Sequence, residues 1–240
     1  MPDSLRDFLD ATLLTGRSEG HPCLAAAREV VGAPVHFQVV EPFLHLRAEA
    51  ARAGFELEIL SGFRSFERQL SIWNRKATGE LPVLDTDANP VAIDSLSDRE
   101  LVFSILRWSA LPGASRHHWG TDLDVFDAAA KPDGYDIELV PKEVNPSGIF
   151  GPLHDWLDRR IEASSAFGFF RPYDRDRNGV APERWHLSCG PVAAPFEQHL
   201  SVDVLKGAIQ DADIEQKEVI LEHLDEIYVR FVMNIGRPQT

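Results

Sequence analysis

Two short stretches hold most of the residues able to do chemistry: Ser115-Arg-His117-His-Trp-Gly120-Thr-Asp122-Leu-Asp124 and, about sixty residues later, Glu183-Arg-Trp-His186. Imidazole nitrogens and carboxylate oxygens are the zinc donors available where paired thiolates are absent. A catalytic zinc keeps three protein ligands and leaves a fourth position to water. His117, Asp124 and His186 meet that requirement with one Zn2+ per chain, although a His/His/Asp set also accepts other divalent ions. Zinc lowers the pKa of its water from about 15.7 to about 7, so a neighbouring carboxylate can take the proton during attack on a carbonyl. Glu183 stands where such a base is needed.

These residues need elements to carry them. Leu123, Val125 and Phe126 mark a strand in which Asp122 and Asp124 share the face opposite Leu123 and Val125. Gly120 lets the backbone turn from the His117 loop into that strand. Glu183 and His186 would face opposite sides of a regular strand, so the segment after Pro182 is expected to bend. A second strand, Phe55 to Leu60, alternates apolar and polar residues and closes at Ser61-Gly62. Helices are expected from a cap at Ser65 to Gly79, over about 98 to 110 behind Ser97 or Asp98, and from Pro152 to a stop at Gly168. The first fifty residues read as mainly helical. Residues 80 to 98, rich in Asp, Pro, Asn and Ser, read as a surface loop bordering a cleft. Apolar residues from Ile214 to Phe231 recur at helical spacing, an amphipathic tail helix expected to pack on its own domain.

Bulk properties narrow the function further. At 240 residues and 44% hydrophobic composition the chain can bury one substantial core. The expectation is one domain over 1–240, with a catalytic core at about 37–195, an N-terminal helical segment at 1–36 and a C-terminal helical extension at 196–240. A net charge of -14 repels phosphate backbones, which argues against nucleic acid as a partner. Cys23 and Cys189 are too few for a disulfide framework. No apolar stretch reaches membrane-spanning length, and the start shows no export signal. The sequence as given is therefore expected in the cytoplasm, or in the cell envelope if an export signal is missing from it.

Other motifs carry less. Asp174-Arg-Asp176-Arg-Asn178-Gly179 echoes the start of a calcium loop, but Trp185 stands where the bidentate glutamate belongs, so a polar turn is expected. His118 is the nearest competitor to His117 as a ligand. His21, His36, His45, His154, His199 and His223 read as surface or hydrogen-bonded residues.

The pattern Ser-x-His-x-x-Gly-x-x-x-Asp with a downstream Glu-x-Trp-His resembles the VanY-type D-alanyl-D-alanine carboxypeptidases, a family that includes L,D-carboxypeptidases and phage endopeptidases. Ser61-Gly-Phe-Arg64-Ser-Phe-Glu-Arg-Gln69 is similar to the family's Ser-Gly-Tyr-Arg segment with its later glutamine, and the three blocks span roughly residues 55 to 190. The resemblance implies an α+β fold, a small mainly antiparallel sheet flanked by helices with zinc over one face. It also implies that His117, Asp124 and His186 bind zinc and that Glu183 is the general base. Arg64 would stabilise the oxyanion or hold a substrate carboxylate, and Ser115, Gln69 and Trp185 would contact substrate. The expected activity is hydrolysis of the terminal bond of a peptidoglycan stem peptide or muropeptide. An endopeptidase, or a zinc-bearing binding module like the hedgehog signalling domain, is the alternative. Two positions depart from the family pattern: Asp122 replaces a small residue, and Cys189 replaces a tyrosine.

Overall fold

The computed structural model describes residues 9–18 and 25–238; Cys23 and the first eight residues lie outside them. Among the described residues the strands are β1 (Leu57–Ser61), β2 (Val83–Leu84), β3 (Pro90–Val91), β4 (Asp122–Asp127), β5 (Phe169–Phe170) and β6 (His186–Cys189). Four of them form one antiparallel sheet in the order β1-β4-β6-β5, and β2 pairs with β3 in a separate hairpin. The α+β architecture implied by the resemblance is the one observed.

Alternation along the strands splits the sheet into two unlike faces. Leu57, Ile59, Leu123, Val125 and Leu187 are buried on one face, under Val39, Phe43 and Leu46 of the Phe37–Arg52 helix and Leu153 and Leu157 of the Gly151–Glu162 helix. Each such side chain stabilises the fold by roughly 1.5 to 3 kcal/mol. Asp122, Asp124, His186 and Ser188 alternate with them in sequence. In register, Asp122 pairs with Ser188, Leu123 with Leu187, and Asp124 with His186. A second apolar cluster is built by the Phe66–Ala77 and Asp98–Trp108 helices, through residues such as Phe66, Trp73, Val102 and Ile105.

The helix starts follow their caps. Ser65 Oγ accepts from the Arg68 N–H at 3.2 Å, and Ser97 forms a reciprocal capping box with Glu100. Two helix ends differ from expectation. The helix opening at Gly151 stops at Glu162, because Ser164 and Phe167 take left-handed backbone, and Gly168 (φ 86°) turns the chain into β5 instead of ending the helix. The tail is broken at His223 into Lys217–Glu222 and Leu224–Ile227, followed by a π turn over Tyr228–Val232. That bend keeps Ile220, Leu224, Ile227 and Phe231 all buried in the second cluster, so the tail does pack on its own domain. The expected 80–98 loop contains the β2–β3 hairpin. No helix among the described residues is long and apolar enough to cross a membrane.

Candidate metal centre

His117 lies in the short 3-10 turn Arg116–Trp119, which ends on Gly120 in left-handed backbone at φ 66°. That turn leads straight into β4, where Asp124 stands beside His186 of β6. Donor atoms of His117, Asp124 and His186 all lie within 4.8 Å of one another, and all three residues are buried. His117 Nε2 is 3.3 Å from Asp124 Oδ2, and His186 Nδ1 is 3.3 Å from Asp124 Oδ1.

The outer atoms of both imidazoles are already engaged. His117 Nδ1 hydrogen-bonds the Gly62 carbonyl at 2.8 Å, and His186 Nε2 meets Asp122 Oδ1 at 2.9 Å. Each ring therefore donates outward and turns its other nitrogen, with its lone pair, toward Asp124. Asp124 Oδ1 is buried and makes no hydrogen bond. Electron-rich atoms facing one another out of water are stabilised by a cation among them, so this donor set fits a divalent metal. Without one, a proton takes its place. Burial opposes charge on His186, but the neighbouring carboxylates of Asp122, Asp124 and Glu183 outweigh it and hold its pKa well above 6.5. Burial likewise opposes charge on Asp124, yet His117 and His186 keep it far below the usual carboxylate range.

Asp122 is fully buried and carries four hydrogen-bond partners. Oδ1 accepts from His186 and from Arg116 Nε at 2.7 Å; Oδ2 accepts from Thr121 Oγ1 at 2.7 Å and Ser188 Oγ at 3.1 Å. Arg116 extends the network to Glu197 at 2.8 Å, and Glu197 pairs in turn with Arg237. Burial works against ionised Asp122; the Arg116 guanidinium prevails and holds its carboxyl well below the usual range.

The bend expected before His186 is a turn: the His186 N–H donates to the Glu183 carbonyl at 3.1 Å, and β6 begins only at His186. It brings Glu183 Oε2 to 3.4 Å from His186 Nδ1. The Glu183 N–H donates to the Tyr173 carbonyl at 2.9 Å, and the Tyr173 ring meets His186 edge-on with centroids 5.0 Å apart. Nothing in the sequence spacing marks Tyr173.

Arg64 approaches from the other side of the site. Its Nη1 donates to Gln69 Oε1 at 3.0 Å and its Nη2 to Ser61 Oγ at 3.2 Å, with Nη2 3.8 Å from Asp124 Oδ2. Arg64, Ser115, Glu183 and Trp185 line a cleft of about 250 Å³ together with the three candidate ligands. Gln69 is not among the lining residues. It is fully buried, spending its carbonyl on Arg64 and its amide on the Ala110 carbonyl at 2.7 Å, so it touches the cleft only through Arg64.

His118 points away. Its Nδ1 meets the Arg64 carbonyl at 2.6 Å and its Nε2 accepts from the Gly113 N–H at 3.0 Å, which leaves neither nitrogen for a metal. Asp174 and Asp176 are paired with Arg177 and Arg107, consistent with a polar turn and not a calcium loop.

The family model described as VanY, D-alanyl-D-alanine carboxypeptidase, matches residues 33–192. A Haemophilus influenzae protein described as uncharacterized is 30% identical over 125 residues, covering 51% of this chain and 93% of that protein. The D-alanyl-D-alanine carboxypeptidase of Enterococcus faecalis is 30% identical over 151 residues, covering 61% of this chain and 45% of the enterococcal one. Among solved structures, VanYB in complex with D-Alanine-D-Alanine is similar at 20% identity and a TM-score of 0.46, over 74% of this chain and 84% of that one. With its three sequence blocks folded onto one cleft and two thirds of its length matched, this chain belongs to the VanY D-alanyl-D-alanine carboxypeptidase family.

Proposed function

We propose that the chain is a zinc-dependent carboxypeptidase that removes the terminal D-amino acid of a peptidoglycan stem peptide. The observation that carries this reading is the convergence of His117, Asp124 and His186 beside Glu183 at the floor of an open cleft. The three would hold one Zn2+, leaving the cleft side for substrate. When bound, zinc supplies Lewis acidity, acidifying water and polarising a carbonyl.

The protein's own groups do the rest. Glu183 takes a proton from the attacking water as its oxygen bonds to the scissile carbonyl carbon, then returns that proton to the departing amine as the C–N bond breaks. The cationic Arg64 guanidinium, fixed by Gln69 and Ser61, neutralises negative charge arriving in the cleft, on the terminal carboxylate or the developing oxyanion. Ser115 and Trp185 line the substrate path. The family match over 33–192 supports a catalytic core near 37–195 within a single domain. A donor set of three protein residues with the Glu183 carboxylate beside it favours an enzyme over a binding module, whose structural site would be closed by a fourth protein ligand.

Mass spectrometry of products from D,D- and L,D-ended muropeptides treated with zinc-loaded protein tests the reading. Loss of one terminal D-alanine, abolished in Glu183→Ala protein that still binds zinc, is the expected result. Cleavage of peptides with an amidated C terminus would instead identify an endopeptidase. Stoichiometric zinc with no cleavage of either substrate would overturn the proposal.

A further inference from the structure

Three basic side chains line the cleft, and two are committed. Arg116 is saturated by Asp122, Glu197 and Ser188, and Arg64 is held by Gln69 and Ser61 beside Asp124. The third, Lys76, sits in the last turn of the Phe66–Ala77 helix, half-buried, with its Nζ donating to the Pro82 carbonyl at 3.1 Å. No carboxylate lies within 4 Å of Nζ among the described residues, although the chain carries 38 acidic residues against 24 basic ones. The adjacent Arg75 turns outward to Glu80. Glu138, the acidic residue sharing the outer cleft, is engaged by Lys142 at 2.7 Å. Burial alone lowers the Lys76 pKa, with no acidic neighbour to offset it. An ammonium desolvated in a substrate cleft without a counter-charge is destabilising until an anion arrives.

We infer that Lys76 forms a second carboxylate subsite, selecting peptides that carry an acidic residue upstream of the scissile bond. This rests on the carboxypeptidase reading, with Arg64 facing the C-terminal end of the peptide. The Phe66–Ala77 helix then serves as a ruler. Arg64 stands just before the Ser65 cap, and Lys76 lies ten positions beyond Phe66, about 15 Å along the helix at ~1.5 Å per residue. An extended peptide advances ~3.4 Å per residue. With both side chains leaning into the cleft, the two carboxylates they bind lie about three or four residues apart.

The test is calorimetric binding to zinc-loaded Glu183→Ala protein, so that no turnover intervenes. The probes are N-acetylated pentapeptides ending in D-Ala-D-Ala with glutamate or glutamine at the first, second or third position. Glutamate at the first or second position is expected to bind about ten-fold tighter than glutamine, as one charge-assisted contact allows. Adding Lys76→Gln should shrink that preference to under about two-fold, and Lys76→Arg should keep it. A preference that persists in Lys76→Gln, or is missing with Lys76 present while the peptides still bind, overturns the Lys76 subsite alone. If none of the peptides binds, the carboxypeptidase reading falls and takes the subsite with it.

Discussion

Asp122 accepts the hydrogen bond of His186 Nε2 at 2.9 Å, so a carboxylate two residues before one candidate ligand orients another on the neighbouring strand. Such outer partners fix the ring and raise its basicity. Asp122→Asn should weaken zinc affinity about 10- to 100-fold, read by competition with a chromophoric chelator. Asp122→Ala additionally strips Arg116 of a buried counter-charge and is expected to lower unfolding free energy by about 3 to 5 kcal/mol in urea titrations. Unchanged zinc affinity in both variants would remove Asp122 from any role at the metal.

Gln69 offers a way to perturb Arg64 without touching the cleft wall. Gln69→Leu frees the Arg64 guanidinium and leaves the Ala110 carbonyl unpaired, which costs about 1 to 3 kcal/mol of stability. The expected kinetic result is a drop in kcat/KM of about ten-fold or more with zinc stoichiometry intact. Wild-type kinetics would show that Arg64 holds its position unaided.

Two glycines separate strain from collision. A Cβ on Gly62 would lie 2.3 Å from the Pro34 carbonyl oxygen, so the backbone that supplies the His117 hydrogen bond must move. Gly62→Ala should therefore lower both thermal stability and zinc affinity. Gly120→Ala meets the penalty of left-handed backbone, about 1 kcal/mol, and should lower stability by that amount. Equal thermal shifts in the two variants would contradict this distinction.

Acid should find the fold at His36. Burial lowers its pKa to about 4, and its Nδ1 accepts the Gln38 N–H as the cap of the Phe37–Arg52 helix. In the unfolded chain it titrates near 6.5. Between those values the unfolded state binds a proton that the folded state refuses, so stability falls as pH drops from about 6.5 to about 4 and levels off below. Asparagine keeps a cap acceptor but does not titrate. Metal-free wild type should lose about 2 kcal/mol more than His36→Asn between pH 7.5 and 4.5, by denaturant titration. Parallel losses would exclude His36 as the source.

Local chemistry made much of this legible from sequence. The Ser65 and Ser97 caps, the alternation around Leu123 and Leu57, and the conflict between Glu183 and His186 that forces a turn are all short-range effects. What stayed hidden depends on contacts between distant segments. Gln69 reads as a substrate contact until Ala110 and Arg64 are seen to consume its amide. Tyr173 and Lys76 line the cleft beside residues far from them in sequence, which local patterning does not bring together. The Gly151–Glu162 helix ended before Gly168 because two non-glycine residues adopted left-handed backbone, which composition does not announce.

The pairing of Asp124 with His186 places the site and the core on opposite sides of the same two strands. Sliding β6 by one residue would send His186 into the leucine layer and Leu187 into the cleft. A misaligned chain would thus lose the candidate metal-binding set and its packing together, so one register serves both. On the proposed reading, tight zinc binding would report that the oil-facing side is also correctly assembled, and core substitutions at Leu123 or Leu187 should weaken metal binding and lower stability in step.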